Sequence, residues 1–229
     1  MGEYLKERAS FIIVVVVIIG GFVFLMGHNK GTATSAVTHP ANVPSPTAAM
    51  TSPMSRGSKD AKVSLIQYSD FLCPSCSYFT TQVMPTIQQK YIDTGKVKFE
   101  FRPIAFIAEG STLADEGAYC AIDQGKFWSY HDAVYAYVWN TAFSKGVDPK
   151  TTTILTSPIL DTLASTIGLD SNLFSDCLSS GKYATHVSDA TNTANTQGVT
   201  STPYILVNGK QLTGNPSIQT VEALIESQL

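Results

Sequence analysis

The chain has 229 residues, 44% of them hydrophobic, enough to bury one sizeable core and unlike the composition of a disordered tail. Its formal charge of −3 is unevenly placed: ahead of residue 60 lie five Lys and Arg against two Asp and Glu, leaving ten against sixteen for the remainder. No basic stripe is left to bind nucleic acid, which excludes that class of partner.

The first ten residues, MGEYLKERAS, lead into FIIVVVVIIGGFVFLMG at 11–27, seventeen residues without a charge. At 1.5 Å per residue such a helix is roughly 25 Å long, at the short end of a membrane span. Lys6 and Arg8 precede it and the first basic residue after it is Lys30. This bias keeps the N-terminus in the cytosol and puts the rest outside. The expectation is a single-pass anchor in the cell membrane; a signal peptide cut near TATSA (32–36) and a buried core helix are the alternatives. Residues 28–59 are rich in Thr, Ala, Ser and Pro and show no apolar periodicity. They are expected to form a flexible tether with a reach of roughly 30 Å.

The domain is expected over 60–229. Lys62 to Ile66 reads as a buried strand, and a helix should start near Pro74, where proline suits a first turn. Pro85 should kink or interrupt it before Tyr91. Val97, Phe99 and Phe101 alternate with Lys98, Glu100 and Arg102, a second strand. From about 110 to 197 the pattern is helical, with segments closing at Gly125, spanning 126–140, spanning Thr151 to Ile167, running from an Asp170 cap to Gly181, and covering Lys182 to Asn195. TPYILVNGKQLTG then predicts a hairpin turning at Asn208-Gly209. The last segment is an amphipathic helix with Ile218, Val221, Leu224 and Ile225 on one face.

Cys73 and Cys76, in SDFLCPSC, fall where the first strand meets the first helix. Such a pair can hold a metal, staple a fold or move electrons. Structural zinc takes four ligands, usually as two close pairs, whereas Cys120 and Cys177 stand alone and His131 lies in an aromatic helical run. A short staple removes little chain entropy. For electron transfer, a thiolate must be available, and a helix N-terminus at Cys73 supplies it through unpaired N–H groups and the positive dipole end. Cys73 is then the exposed attacking thiol and Cys76, one turn on, its resolving partner. Pro74 and Ser75 between them tune the site. Phe71, Tyr78 and Phe79 flank it as candidate groove residues. Cys120 and Cys177, if bonded, close a long loop worth roughly 4 kcal/mol; the favoured reading is a structural disulfide, with two buried thiols or a second redox pair as alternatives. His131 and His186 read as packing and surface residues.

The β-α-β, helical block, β-β-α order, with SDFLCPSC (69–76), EGAYCAIDQGKFWSYHDAVY (116–135) and VTSTPYILVNGK (199–210), resembles the thioredoxin superfamily and, more narrowly, the DsbA-like thiol:disulfide oxidoreductases. The likeness covers 60–229. It implies an α/β thioredoxin fold, a central mixed sheet flanked by helices, carrying a helical insertion. It also implies a cis Thr202-Pro203 peptide facing the cysteines, with the Thr202 backbone exposed to pair with an extended substrate. The function implied is an extracytoplasmic enzyme that introduces disulfides into reduced exported proteins. A membrane quinone-linked protein of the DsbB or VKOR type would re-oxidise it, and no metal or organic cofactor is implied. Alternatives are a reductase or isomerase using the same site, or a non-catalytic binding or chaperone module. Gln67 departs from the family pattern: a buried glutamate often stands six residues before the first cysteine and relays protons. Here an amide stands there, leaving water or Asp70 for that task.

Overall fold

The computed structural model describes residues 52–229. The expected anchor at 11–27 and the tether as far as 51 lie outside them. Among the described residues no helix is long and apolar enough to cross a membrane.

Five strands form one sheet: β1 (Ser55–Arg56), β2 (Val63–Ser69), β3 (Val97–Pro103), β4 (Tyr204–Val207) and β5 (Lys210–Gln211). Their order is β1-β3-β2-β4-β5, with β2 and β3 parallel and the other pairs antiparallel. The parallel pair requires a crossover, which helix α1 (Pro74–Tyr78 continuing through Phe79–Val83, Met84–Ile87 and Gln88–Ile92) supplies. Among the described residues seven helices accompany the sheet: α1, α2 (Glu109–Asp123), α3 (Phe127–Thr141), α4 (Ser157–Thr166), α5 (Ser171–Ser179), α6 (Ala184–Thr196) and α7 (Ile218–Glu226).

Every residue of β2 is buried, because the central strand is covered on both faces. Val63 and Leu65 join Val97, Phe99, Phe101, Ile205 and Val207 in the main core, beneath helices α1, α3 and α7. Ile66 and Tyr68 point the other way, into a smaller cluster with Tyr204, Leu206 and Ala194 of α6. The alternation of a strand thus sorts its residues between two layers.

Local signals end and begin these elements. Asn208 (φ 48°) and Gly209 (φ 79°) make the β4–β5 turn, which needs two positive φ angles. Asp170 caps α5 by accepting from the N–H groups of Asn172 and Leu173. Gly117 of α2 lets α3 come close, since a Cβ there would sit 2.3 Å from the Tyr130 hydroxyl oxygen.

Three expectations are corrected. Residues 52–59 are not all tether: β1 pairs with the edge of β3, Met54 is buried, and the Arg56 guanidinium lies 3.9 Å over the Trp128 ring and 2.7 Å from Asp132. A two-residue strand carries no periodicity to read. Pro85 does not interrupt α1. The helix runs on as α-turns Pro74–Tyr78 and Met84–Ile87 alternating with π-turns Phe79–Val83 and Gln88–Ile92. The wider turn ahead of Pro85 accommodates a ring that would otherwise meet the carbonyl four residues earlier. Finally, α4 starts at Ser157 rather than Thr151, with Pro158 in its first turn. The β-branched Thr151–Thr153 run stays outside it, and Ile154 and Leu155 are buried without helix.

Candidate active site

Cys73 ends the turn leaving β2 and is the N-cap of α1, with extended φ and ψ of −83° and 117°. Pro74 fits the first turn because its missing N–H has no partner to lose there. The Cys73 sulfur accepts from the Cys76 N–H at 3.3 Å, the side-chain cap that a helix N-terminus calls for. Cys76 lies one turn on, wholly buried, while Pro74 and Ser75 between them are exposed.

The Thr202-Pro203 peptide is cis and faces this turn. The Thr202 carbonyl oxygen accepts from the Cys73 thiol at 3.4 Å. Contrary to expectation, then, Cys73 is not an open thiol: 5% of its surface is exposed, because the Thr202 loop lies over it. Its advantage over Cys76 is electronic. The Cys76 thiol, donating to it, holds the Cys73 thiolate and lowers its pKa from 9.0 to about 7, helped by the Thr202 side chain and the Cys76 N–H and opposed by burial and by Asp70. Cys76 goes the other way: burial, then the Cys73 sulfur, push its thiol well above the usual range.

These opposite shifts give a titration prediction. In the reduced protein, iodoacetamide is expected to alkylate Cys73 with a midpoint near pH 7 while Cys76 stays unmodified; mapping by peptide mass against pH checks it, and equal labelling of both would refute it. The folded-state pKa of Cys73 is depressed, so its ionisation stabilises the reduced fold fully above 9.0, and that contribution is lost as pH falls through about 7.

Behind the pair sits a buried polar group of residues. Gln67 Nε2 donates to Ser69 Oγ at 3.0 Å, and Ser69 Oγ is 2.7 Å from the hydroxyl oxygen of Tyr135 on α3. Asp70 is a clasp: its carboxylate accepts from the N–H groups of Leu72 at 2.7 Å, Phe106 at 3.0 Å and Ile107 at 3.1 Å. Burial raises its pKa against those bonds. Of the expected groove residues, Phe71 and Phe79 are fully buried and only Tyr78 is open, at 39%. Phe106, at 44%, is an exposed ring that sequence reasoning missed; an apolar residue in a loop carries no periodic signal.

Cys120 and Cys177 are joined in a disulfide that ties α2 to α5, 57 positions apart. His131 is buried among the Phe101, Phe127, Trp128 and Tyr135 rings, with Nδ1 2.7 Å from Asp132. Among the described residues no three His, Cys, Asp or Glu side chains gather as metal ligands.

The family model described as thioredoxin matches residues 49–227. The chain is 27% identical over 176 residues to disulfide bond formation protein D of Bacillus subtilis, covering 76% of this chain and 75% of that protein. It is 26% identical over 174 residues to Na(+)/H(+) antiporter NhaA 1 of Salinispora arenicola, of which it spans 24%. The crystal structure of oxidised BdbD from Bacillus subtilis superimposes with a TM-score of 0.66 at 24% identity, over 76% of this chain and 91% of that one.

Proposed function

The chain belongs to the thioredoxin family, as a DsbA-like thiol:disulfide oxidoreductase with a mixed sheet flanked by helices, and we propose that it works as an oxidase, introducing disulfides into exported proteins through Cys73 and Cys76. A client thiolate attacks Cys73 of the oxidised pair, forming a mixed disulfide and releasing Cys76. The client's second thiolate then attacks the client sulfur of that bond, and Cys73 leaves as a thiolate.

The observation that carries this reading is the Cys73 sulfur at the head of α1, where the Cys76 N–H and the positive helix end favour its thiolate. A stabilised leaving thiolate favours the second step and the reduced enzyme, which is what an oxidant requires. The Thr202 loop over Cys73 supports the client side: backbone beside the cysteine can pair with an extended polypeptide while tolerating many sequences. The name of the Bacillus relative, disulfide bond formation protein D, points the same way.

Residues 11–27, with Lys6 and Arg8 before them, would anchor the chain with its catalytic domain outside the membrane, where disulfides persist. The reduced pair would return its electrons to a membrane quinone-linked protein of the DsbB or VKOR type.

The test is the equilibrium potential of Cys73/Cys76 in the full-length chain against glutathione. Reference values run from about −270 mV for thioredoxin to about −120 mV for DsbA. A value above roughly −180 mV is expected, whereas one near about −250 mV would make the protein a reductase.

A further inference from the structure

The sheet brings three segments to one edge. Strands β2 and β3 run parallel, with Ser69 beside Pro103, and β4 runs against β2, with Tyr204 beside Tyr68. The C-terminal ends of β2 and β3 and the N-terminal end of β4 therefore share that edge. Cys73 follows β2, Phe106 follows β3 and Thr202 precedes β4. Because β2 lies between the other two strands, Thr202 and Phe106 flank the cysteine from opposite sides. At about 4.8 Å between neighbouring strands, the two outer segments are about 10 Å apart.

The backbone that carries the Phe106 ring is fixed. Every N–H from 104 to 108 is bonded: Ile104 donates to the Ser69 carbonyl oxygen at 3.0 Å, Ala105 to Thr191 Oγ1 at 3.0 Å, Phe106 and Ile107 to the Asp70 carboxylate, and Ala108 to Ser111 Oγ at 3.4 Å. A loop held at each residue still leaves 44% of Phe106 in water, apolar surface that gains by being covered. Tyr78, the other exposed ring near the cysteines, already leans on Trp139 at 6.0 Å.

We propose that Phe106 is a specificity-determining residue: its ring receives a large apolar side chain two positions from the client's reacting cysteine, on the side away from Thr202. The inference rests on Cys73 being the attacked sulfur and on the Thr202 backbone pairing with the client. An extended client crossing this edge advances about 3.3 Å per residue and alternates its side chains. Its cysteine points at Cys73 and its immediate neighbours point away. The next residue, about 6.6 Å from the cysteine, points back at the protein on the Phe106 side. The bond exchange itself is unchanged: the client thiolate bonds to Cys73 Sγ, the Cys73–Cys76 bond breaks, and Cys76 keeps its electron pair. Phe106 touches the client and no reacting atom, so it sets which client reacts and not how.

The experiment uses the oxidised full-length chain and three single-cysteine peptides. One has leucine at both second positions from the cysteine, one has leucine at both first positions, and one has serine at all four. Substituting both flanks leaves the client's direction free. Initial rates of mixed-disulfide formation are read by acid quench and mass spectrometry. The second-position peptide is expected to react about five to ten times faster than the serine peptide, the first-position peptide no more than about twice as fast. In Phe106→Ser the second-position advantage is expected to fall below about twofold, while Phe106→Leu keeps most of it. Comparing ratios between proteins cancels differences in peptide thiol acidity. Equal wild-type rates for the three peptides, or an advantage that survives Phe106→Ser, overturns the inference. So does an equal slowing of all three in Phe106→Ser, which marks a structural role. Should Phe106→Ser not fold, Phe106→Ala takes its place. A wild type that reacts with glutathione yet treats the peptides alike refutes the client contact alone. One inert to glutathione and to every peptide takes Cys73 out of the reaction, and the functional reading falls first. A potential near that of thioredoxin would refute the oxidase and leave the peptide ratios to decide Phe106.

Discussion

Cys73→Ser is expected to lower the rate of dithiol-peptide oxidation by at least about a thousandfold, the scale on which removing a nucleophile acts, while leaving the melting temperature within a few degrees. The serine oxygen can take over the cap, accepting from the Cys76 N–H as the sulfur does, so the first turn of α1 keeps its partner. What it cannot do is form a disulfide or ionise near neutral pH. Cys76→Ser is expected to behave differently. Cys73 keeps its N–H contact and its Thr202 contacts, but a mixed disulfide with a client has no internal resolving thiol, so a covalent complex should persist until dithiothreitol is added. Non-reducing gels and peptide turnover check both variants. Turnover retained in Cys73→Ser would remove Cys73 from its assigned role.

The second large effect is on stability. Replacing Cys120 and Cys177 together by alanine opens a loop spanning 57 positions, and the chain-entropy argument puts the loss at about 4 kcal/mol. For a domain of this size that corresponds to a fall in melting temperature of about 8–16 °C. Burial sharpens the case: Cys120 lies in the core and Cys177 packs against it, so the alanines also leave less well-filled space. Differential scanning calorimetry of the oxidised wild type and the double variant measures it. A loss below about 1 kcal/mol would mean that packing of α2 against α5 holds the insertion without the bond.

Much of the fold is written in local chemistry. The Asn208-Gly209 turn, the Asp170 cap, Pro74 in a first turn and the alternation of Val97 to Arg102 each need only neighbours along the chain, and each is legible by eye. The failures need partners far away. β1 exists because β3 offers an edge 43 or more positions on, and two residues give no pattern of their own. Cys73 is covered by Thr202, 129 positions distant, so its position at a helix start is legible and its burial is not. Phe71 and Phe79 look like surface groove residues from their place beside the cysteines, yet both turn into the core, while Phe106 comes to the surface from a loop without periodicity. The polar group at Cys76 lies between these cases. Gln67 and Ser69 share a strand face and can be read as a buried polar pair, but Tyr135, which completes it, is 66 positions from Ser69 and reads only as one more aromatic in a crowded helix.

The Asp70 clasp has a consequence for recognition. One carboxylate holds the Leu72 N–H, immediately before Cys73, and the N–H groups of Phe106 and Ile107. The open ring of Phe106 and the reactive sulfur therefore belong to a single stiff body, not to two loops that move separately. A flexible polypeptide that touches Phe106 while reacting at Cys73 gives up its own freedom, but it does not have to freeze the protein as well. The entropy of ordering that surface has already been spent in folding, so even a shallow, unselective contact can lengthen the encounter enough for a thiolate to find its target.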